Sequence, residues 1–258
     1  GDDAPAGIVL HPLGPIREEF PLVRMLKGLG RHHSSRPSST GHGKSQGFGR
    51  PMRIGVFGGS FDPVHLGHLI AAECCREQAR LDRVIFMPAA VPPHKQDRRL
   101  TPADDRVQIL RLAVGGHEAF TISTREIDRG GVSFTVDTLA QLRETHPAEE
   151  LFLLLGPDAI VEFPTWREPA RILQLAQPLV MVREVLNDTN TFASDAQLAG
   201  LMGREQLAAV LAAAVRLPAI GIRASDLRTA VAAGRSIRFR TPRAVEAFIT
   251  AHGLYRTA

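Results

Sequence analysis

Six short, continuously apolar runs, each followed by a longer segment of helical period, constrain the fold more than any other feature of this chain. They are Arg53–Phe57, Val84–Met87, Phe120–Ser123, Leu151–Leu155, Leu179–Val182 and Ala219–Ile222. A strand covered on one face alternates apolar and polar residues, whereas a strand covered on both is apolar throughout. Runs of the second kind, separated by helices, predict an α/β, Rossmann-like, mostly parallel sheet with helices on both faces. The expected helices are Leu69–Arg80, Pro102–Val114, Thr135–Thr145, Ala159–Glu162, Pro169–Gln174, Ala196–Ala214, Ser225–Ala233 and Pro242–His252. The pattern contains no internal repeat and no second domain. Its longest aliphatic stretches, Leu151–Leu155 and Ala208–Val215, fall far short of the roughly 20 apolar residues of a membrane helix, so no membrane partner is expected.

This pattern starts only at Met52. The 44% hydrophobic and 22% charged content of the 258 residues is that of a folded protein, but Arg31–Arg50 has four Lys/Arg, three His, five Ser, four Gly and Phe48 as its one bulky apolar residue. Such a stretch buries too little surface to offset chain entropy, so residues 1–50 read as a disordered basic leader and 51–258 as the folded domain. Within the leader, Ile16–Leu29 allows a short apolar helix broken by Pro21. The leader lacks the apolar core and cleavage site of a secretory signal, and its four acids weigh against an organelle-targeting peptide. It reads equally as an interaction tail or as an upstream extension of a chain starting at Met52. The leader also explains the net charge of +4: it carries seven Lys/Arg against four Asp/Glu, which leaves 24 against 23 for the body. A near-neutral body without a recognised nucleic-acid module argues against a nucleic-acid partner. The two cysteines, Cys74 and Cys75, are adjacent, and adjacent residues rarely meet disulfide geometry, which points to a reducing, cytoplasmic setting. Redox or metal chemistry at this pair stands against the plainer reading of two small residues on an early helix.

The segment Gly55-Val56-Phe57-Gly58-Gly59-Ser60-Phe61-Asp62-Pro63-Val64-His65-Leu66-Gly67-His68 directly follows the first strand. Gly58 and Gly59 let backbone approach a ligand, and a following helix presents N–H groups to anionic oxygens. It is neither a Walker loop nor the dinucleotide G-x-G-x-x-G pattern. His65 and His68, three residues apart, lean to one side of a helix. As metal ligands they need further partners at fixed spacing, and none is evident. As donors to a phosphoryl group they need only the helix start and a phosphate. Capping or core histidines remain the alternative.

The run Gly59 to His68, ending in His65-Leu66-Gly67-His68, resembles the H-x-G-H signature of the nucleotidyltransferase superfamily. Further segments resemble one branch, the bacterial nicotinate-nucleotide adenylyltransferases. Pro92-Pro93-His94-Lys95 is similar to its P-P-H-K segment, and Glu126 to Leu139 to its E-x-x-R-x-G-x-S-Y-T-x-D-T-L block, with Arg129 in the Arg role and Phe134 in place of Tyr. Gly156-Pro157-Asp158 and Trp166 match its G-x-D and downstream Trp. Ile222 to Arg228 resembles its I-S-x-S/T-x-I-R motif, with Arg223 standing where a Ser is usual, and Val245 to Tyr255 resembles its closing helix and Leu-Tyr ending.

This resemblance implies adenylyl transfer from ATP to nicotinate mononucleotide, yielding nicotinate adenine dinucleotide and pyrophosphate in NAD biosynthesis. It implies His65, His68, Lys95 and Arg228 as catalytic residues. ATP is expected on Gly58, Gly59, Ser60, Phe61, His65, Gly67, His68, Gly156, Asp158, Ser225 and Arg228. The acceptor is expected on His94, Lys95, Phe134, Thr135, Asp137 and Trp166, the Trp stacking on the pyridine ring and backbone groups near Phe134 and Thr135 facing the nicotinate carboxylate. Mg²⁺ accompanies ATP, held by substrate oxygens and water rather than by a protein carboxylate cage. Asp104 and Arg106 read as helix-surface or loop-bracing residues. Nicotinamide mononucleotide or phosphopantetheine as acceptor, or a nucleic-acid-binding protein with an inactive nucleotide fold, are the alternatives, and the oligomeric state stays open.

Overall fold

Burial on both faces sets the strands. In the computed structural model, which describes residues 50–93, 100–183 and 192–256, they are β1 (Arg53–Gly59), β2 (Arg83–Pro88), β3 (Phe120–Ile122), β4 (Glu150–Leu155), β5 (Gln177–Arg183) and β6 (Val215–Leu217). All pair in parallel, in the order β3-β2-β1-β4-β5-β6. The helices among the described residues are α1 (Leu66–Gln78), α2 (Ala103–Val114), α3 (Arg125–Arg129), α4 (Thr135–Thr145), α5 (Pro157–Glu162), α6 (Pro169–Leu175), α7 (Ala196–Met202), α8 (Arg204–Ala212), α9 (Ala224–Ala232) and α10 (Arg243–Ala251).

Side chains of successive strand residues go to opposite faces. On one face Phe57, Phe86, Phe152, Leu154 and Met181 pack with residues of α1, α2, α9 and α10. On the other, Val56, Ile85, Leu153 and Val180 pack with residues of α4 to α8. The first face is tight at Gly55, where a Cβ would lie 2.7 Å from Leu81 Cδ1 and 3.0 Å from Leu154 Cδ1. Cys75 is buried among these residues, and burial pushes its thiol up to about 12. Both cysteines are free thiols on α1, as in the plainer reading of the sequence.

Three details depart from the sequence reading. The sixth strand is Val215–Leu217 rather than Ala219–Ile222, because Pro218 has no N–H with which to continue a ladder. Ala196–Ala214 is two helices, divided at Gly203, whose φ of 81° is left-handed and suits glycine. The short helix α3 was not foreseen. At the edge, the Gln78 side chain takes up both backbone groups of Arg216, donating to its carbonyl at 2.9 Å and accepting from its N–H at 3.0 Å. An unpaired strand edge is thereby partly covered.

The chain leaves β1 toward β2 and β3, then returns to the other side of β1 for β4. Strands that diverge in this way open a crevice beyond their carboxyl ends. Gly58-Gly59 and Gly156-Pro157-Asp158 stand at the carboxyl ends of β1 and β4.

Candidate active site

Residues 60–65 link β1 to α1 and are held from outside the segment. Phe61, at φ 45°, folds its ring back over Gly59, where a Cβ would meet ring carbons at 3.2 Å. Arg106, only 1% exposed, donates from Nη1 to the Ser60 carbonyl and from Nε to the Thr101 carbonyl, both at 2.9 Å. Burial lowers its pKa, while Asp62 and Tyr255 act to raise it. Arg228 donates to the Asp62 carbonyl. The Tyr255 hydroxyl donates to Asp62 Oδ1 at 2.8 Å, and burial, followed by the Asp62 charge, pushes its own ionisation far up. Thr241 Oγ1 donates to the Val64 carbonyl at 3.0 Å, and Leu66 N–H to the Arg240 carbonyl at 3.0 Å.

This frame sets the two histidines. His65 is the N-cap of α1 and His68 its third residue. The His65 N–H donates to His68 Nδ1 at 3.3 Å. The two rings stack, with centroids 3.7 Å apart, and His68 also meets the Phe61 ring edge to face at 5.2 Å. His65 is 6% exposed, and its Nδ1 is buried without a hydrogen-bond partner. Burial lowers its pKa to about 4, so at neutral pH the ring is an uncharged donor. Gly67 is fitted to it: a Cβ there would lie 3.0 Å from His65 Nδ1. The N-cap position of His65 is compatible with phosphate binding, set against capping in the sequence, because helix N–H groups converge there.

Beside this shelf a cavity of about 720 Å³ opens over the carboxyl ends of β1 and β4. Gly58, Gly59 and Ser60 form one wall; Gly156 and Asp158 border it from β4 and α5; Phe134, Thr135 and Trp166 also line it. A Cβ on Gly58 or Gly156 would meet nothing within 4 Å, so neither glycine relieves a clash within the protein and both leave open space at the cavity wall. The Trp166 ring meets Phe163 edge to face at 5.5 Å, and its indole N–H is buried without a partner. The loop before Phe134 is buttressed from below. Thr138 donates to the buried Glu126 carboxylate at 2.7 Å, Arg129 donates to Thr138 at 3.0 Å, and Ser133 Oγ accepts from Ala90 N–H at 2.9 Å. Burial raises the Glu126 pKa against the pull of Thr138, Ser133 and Arg129.

Of the residues expected to bind ATP, Gly58, Gly59, Ser60, Gly156 and Asp158 share the cavity wall, while His65, Gly67 and His68 lie along the start of α1. Ser225 is at the start of α9, exposed, its hydroxyl 3.2 Å from Asp226 Oδ1. Arg228 has one nitrogen committed to the Asp62 carbonyl, a bracing role the sequence did not suggest. Arg223 is the N-cap of α9 and exposed. Of the residues expected on the acceptor side, Phe134, Thr135 and Trp166 line the cavity, whereas Asp137 does not and has its Oδ2 3.6 Å from Arg167 Nη1. Pro92 and Pro93 line the cavity; His94 and Lys95, next in sequence, lie outside the described residues, as does the leader up to residue 49. Sequence reasoning missed Asp62, Thr241 and Tyr255 as supports, and Arg167 as a cavity residue. The Asp-Pro after Gly-Ser-Phe and the terminal Leu-Tyr were visible, but nothing in the sequence joined them. Among the described residues no three His, Cys, Asp or Glu side chains gather as a metal cage, and no helix is long and apolar enough to cross a membrane.

A profile of the cytidylyltransferase-like family matches residues 56–230. Probable nicotinate-nucleotide adenylyltransferases of Thermomicrobium roseum and Thermus thermophilus are 43% and 42% identical over 205 residues, spanning 80% of this chain and 92% and 100% of theirs. Among solved structures, the nicotinic acid mononucleotide adenylyltransferase of Plasmodium falciparum, complexed with NaAD, aligns with a TM-score of 0.60 at 16% identity, covering 79% of this chain and 97% of that one. At that identity the likeness shows a shared fold.

Proposed function

Because the chain belongs to the cytidylyltransferase-like family and, within it, to the nicotinate-nucleotide adenylyltransferases, we propose that it transfers the adenylyl group of ATP to nicotinate mononucleotide. A phosphate oxygen of the mononucleotide attacks the α-phosphorus of ATP, the bond from that phosphorus to the bridging oxygen breaks, and pyrophosphate leaves as nicotinate adenine dinucleotide forms. The nucleophile is already ionised near neutral pH, so no protein base is required. The task is to hold two anions together and stabilise developing charge. Two unit charges about 4 Å apart interact by roughly 4 kcal/mol at an effective dielectric near 20, so their repulsion must be offset.

The observation that carries this reading is the stacked pair of His65 and His68 at the start of α1, beside a cavity bordered by Gly58, Gly59 and Trp166. In it His65, a neutral donor, and His68 bind the phosphates of ATP. Gly58, Gly59 and Ser60 allow the nucleotide close to the backbone, with Phe61 and Gly67 shaping the turn. Gly156 and Asp158 face the adenosine, Ser225 and Arg228 approach the outer phosphates, and Lys95 with His94 follows the transferred group. Phe134, Thr135, Asp137 and Trp166 form the acceptor side. Imidazoles and N–H groups suit phosphate oxygens, whereas Mg²⁺ takes oxygen ligands, so Mg²⁺ is assigned to the Mg·ATP substrate, where it offsets triphosphate charge. We assign the activity to residues 51–258 and to the cytoplasm, a setting in keeping with two unpaired thiols.

The test supplies Mg·ATP with nicotinate mononucleotide, nicotinamide mononucleotide or phosphopantetheine and measures pyrophosphate and dinucleotide. Turnover with nicotinate mononucleotide is expected; none with any acceptor overturns the proposal. His68→Ala is expected to cut turnover by more than about tenfold with the fold retained, and near-normal turnover removes His68 from the mechanism.

A further inference from the structure

Among the described residues that line the cavity, Arg167 is the one cationic side chain, in company with the carboxyl groups of Glu126, Asp158 and Glu162. Positive charge on the wall favours an acidic acceptor, and among the described lining residues that charge comes next to Trp166 in the chain. The Arg167 guanidinium lies over the Phe134 ring, its Cζ 4.7 Å from the centroid. Its Nη1 is 3.6 Å from Asp137 Oδ2 and its Nε 3.7 Å from Glu168 Oε1. Both separations exceed the roughly 2.7–2.9 Å of a charge-assisted hydrogen bond. Glu168 is moreover shared with Arg171, whose Nη1 is 3.2 Å from its Oε2. The guanidinium is thus kept at the cavity by charge and by an aromatic face, with its donors unsaturated by those two carboxylates.

We infer that Arg167 is a specificity-determining residue that recognises a carboxylate on the acceptor's ring and so selects the pyridine carboxylate over the corresponding carboxamide. The inference rests on the acceptor proposed above. A planar guanidinium offers parallel N–H groups to the two oxygens of a carboxylate. A carboxamide presents one acceptor oxygen, and its NH₂ group opposes the second donor. Loss of a pairing made to the bound substrate, and equally in the transition state, raises KM and leaves kcat.

The test compares nicotinate and nicotinamide mononucleotides as acceptors at saturating Mg·ATP, with wild type, Arg167→Met and Arg167→Lys. The Met variant keeps an aliphatic contact with Phe134 and loses the charge, while the Lys variant keeps the charge and loses the fork. For Arg167→Met, KM for the acid should rise at least about tenfold, with kcat, KM for ATP and kcat/KM for the amide within about twofold of wild type. Arg167→Lys should fall between the two. Because both acceptors are measured on the same protein, a folding defect lowers both and leaves their ratio alone. An unchanged acid-to-amide ratio in Arg167→Met overturns the role of Arg167, as does equal use of acid and amide by wild type. Dinucleotide from neither mononucleotide with wild type overturns the acceptor reading itself.

Discussion

His65 couples the site to stability in a way that can be measured. The ring is buried, and burial moves its pKa from 6.5 down to about 4. Between those two values the unfolded chain binds a proton that the folded protein does not. Stability therefore rises with pH through this window: the contribution is present in full above 6.5 and is lost as pH falls through about 4. At about 1.36 kcal/mol per pH unit the displacement amounts to roughly 3 kcal/mol, a substantial part of the 5–15 kcal/mol that holds a typical domain folded. For a domain of this size, each kcal/mol moves Tm by about 2–4 °C. His65 alone should thus lower Tm by roughly 6–12 °C between neutral pH and pH 4. Carboxylates titrate in the same range, so the measurement is the difference between wild type and His65→Asn, by thermal or urea unfolding at half-unit steps from pH 4 to 7.5. That difference should shift toward the Asn variant as pH falls. An NMR titration of the His65 ring gives the same quantity directly. An imidazole titrating above pH 6, or a stability difference independent of pH, refutes the reasoning. Added ATP should raise the His65 pKa, because a nearby anion favours the protonated ring.

Gly55 and Gly58 make a contrasting pair. Gly55→Ala meets Leu81 and Leu154 and should cost about 1–3 kcal/mol in urea unfolding, while Gly58→Ala, with open space around its Cβ, should leave stability within about 0.5 kcal/mol and weaken ATP binding in calorimetry. The reverse assignment refutes the reading of Gly58 as a ligand approach. Gly67→Ala crowds His65 Nδ1 and should lower kcat by about tenfold or more; a normal kcat shows that the ring position is not critical. Tyr255→Phe removes the donor to Asp62 Oδ1 and should cost about 1.5–3 kcal/mol of stability, with a rise in KM for ATP as the loop loosens; an unchanged Tm counts against Tyr255 as a brace.

Much of this architecture can be read from local pattern. Runs such as Leu151–Leu155 report cover on both faces because each successive residue must be buried, and the order of runs and helices then yields a doubly covered sheet. The edge was harder. Val215–Leu217 is short, and an equally apolar stretch after Pro218 competes with it in sequence, although only the first lies beside β5. In the candidate site, the grouping of Gly58, Gly59, His65, Gly67 and His68 was legible because one strand-loop-helix segment carries them all. Phe134 and Trp166 came through motif likeness, and the sheet brings them to one cavity. Arg106 read in sequence as a helix-surface or loop-bracing residue, and the second holds: its buried guanidinium donates to the Ser60 and Thr101 carbonyls. The joining of Asp62 to Tyr255 spans 193 residues, a pairing that only tertiary structure creates.

That span has a consequence for biosynthesis. The segment that presents His65 is made early, whereas Arg228, Thr241 and Tyr255, which fix it, follow 166, 177 and 193 residues after the positions they bind. A ribosome releases the histidines long before their supports, and contacts so far apart in the chain are slow to form because loop closure must precede them. Nascent chains should therefore bind no nucleotide until Tyr255 has left the exit tunnel. Ribosomes stalled partway through this message would then display a growing sheet whose 60–65 segment lacks its supports, and a protease cutting between Thr241 and Tyr255 would loosen that segment from far along the chain.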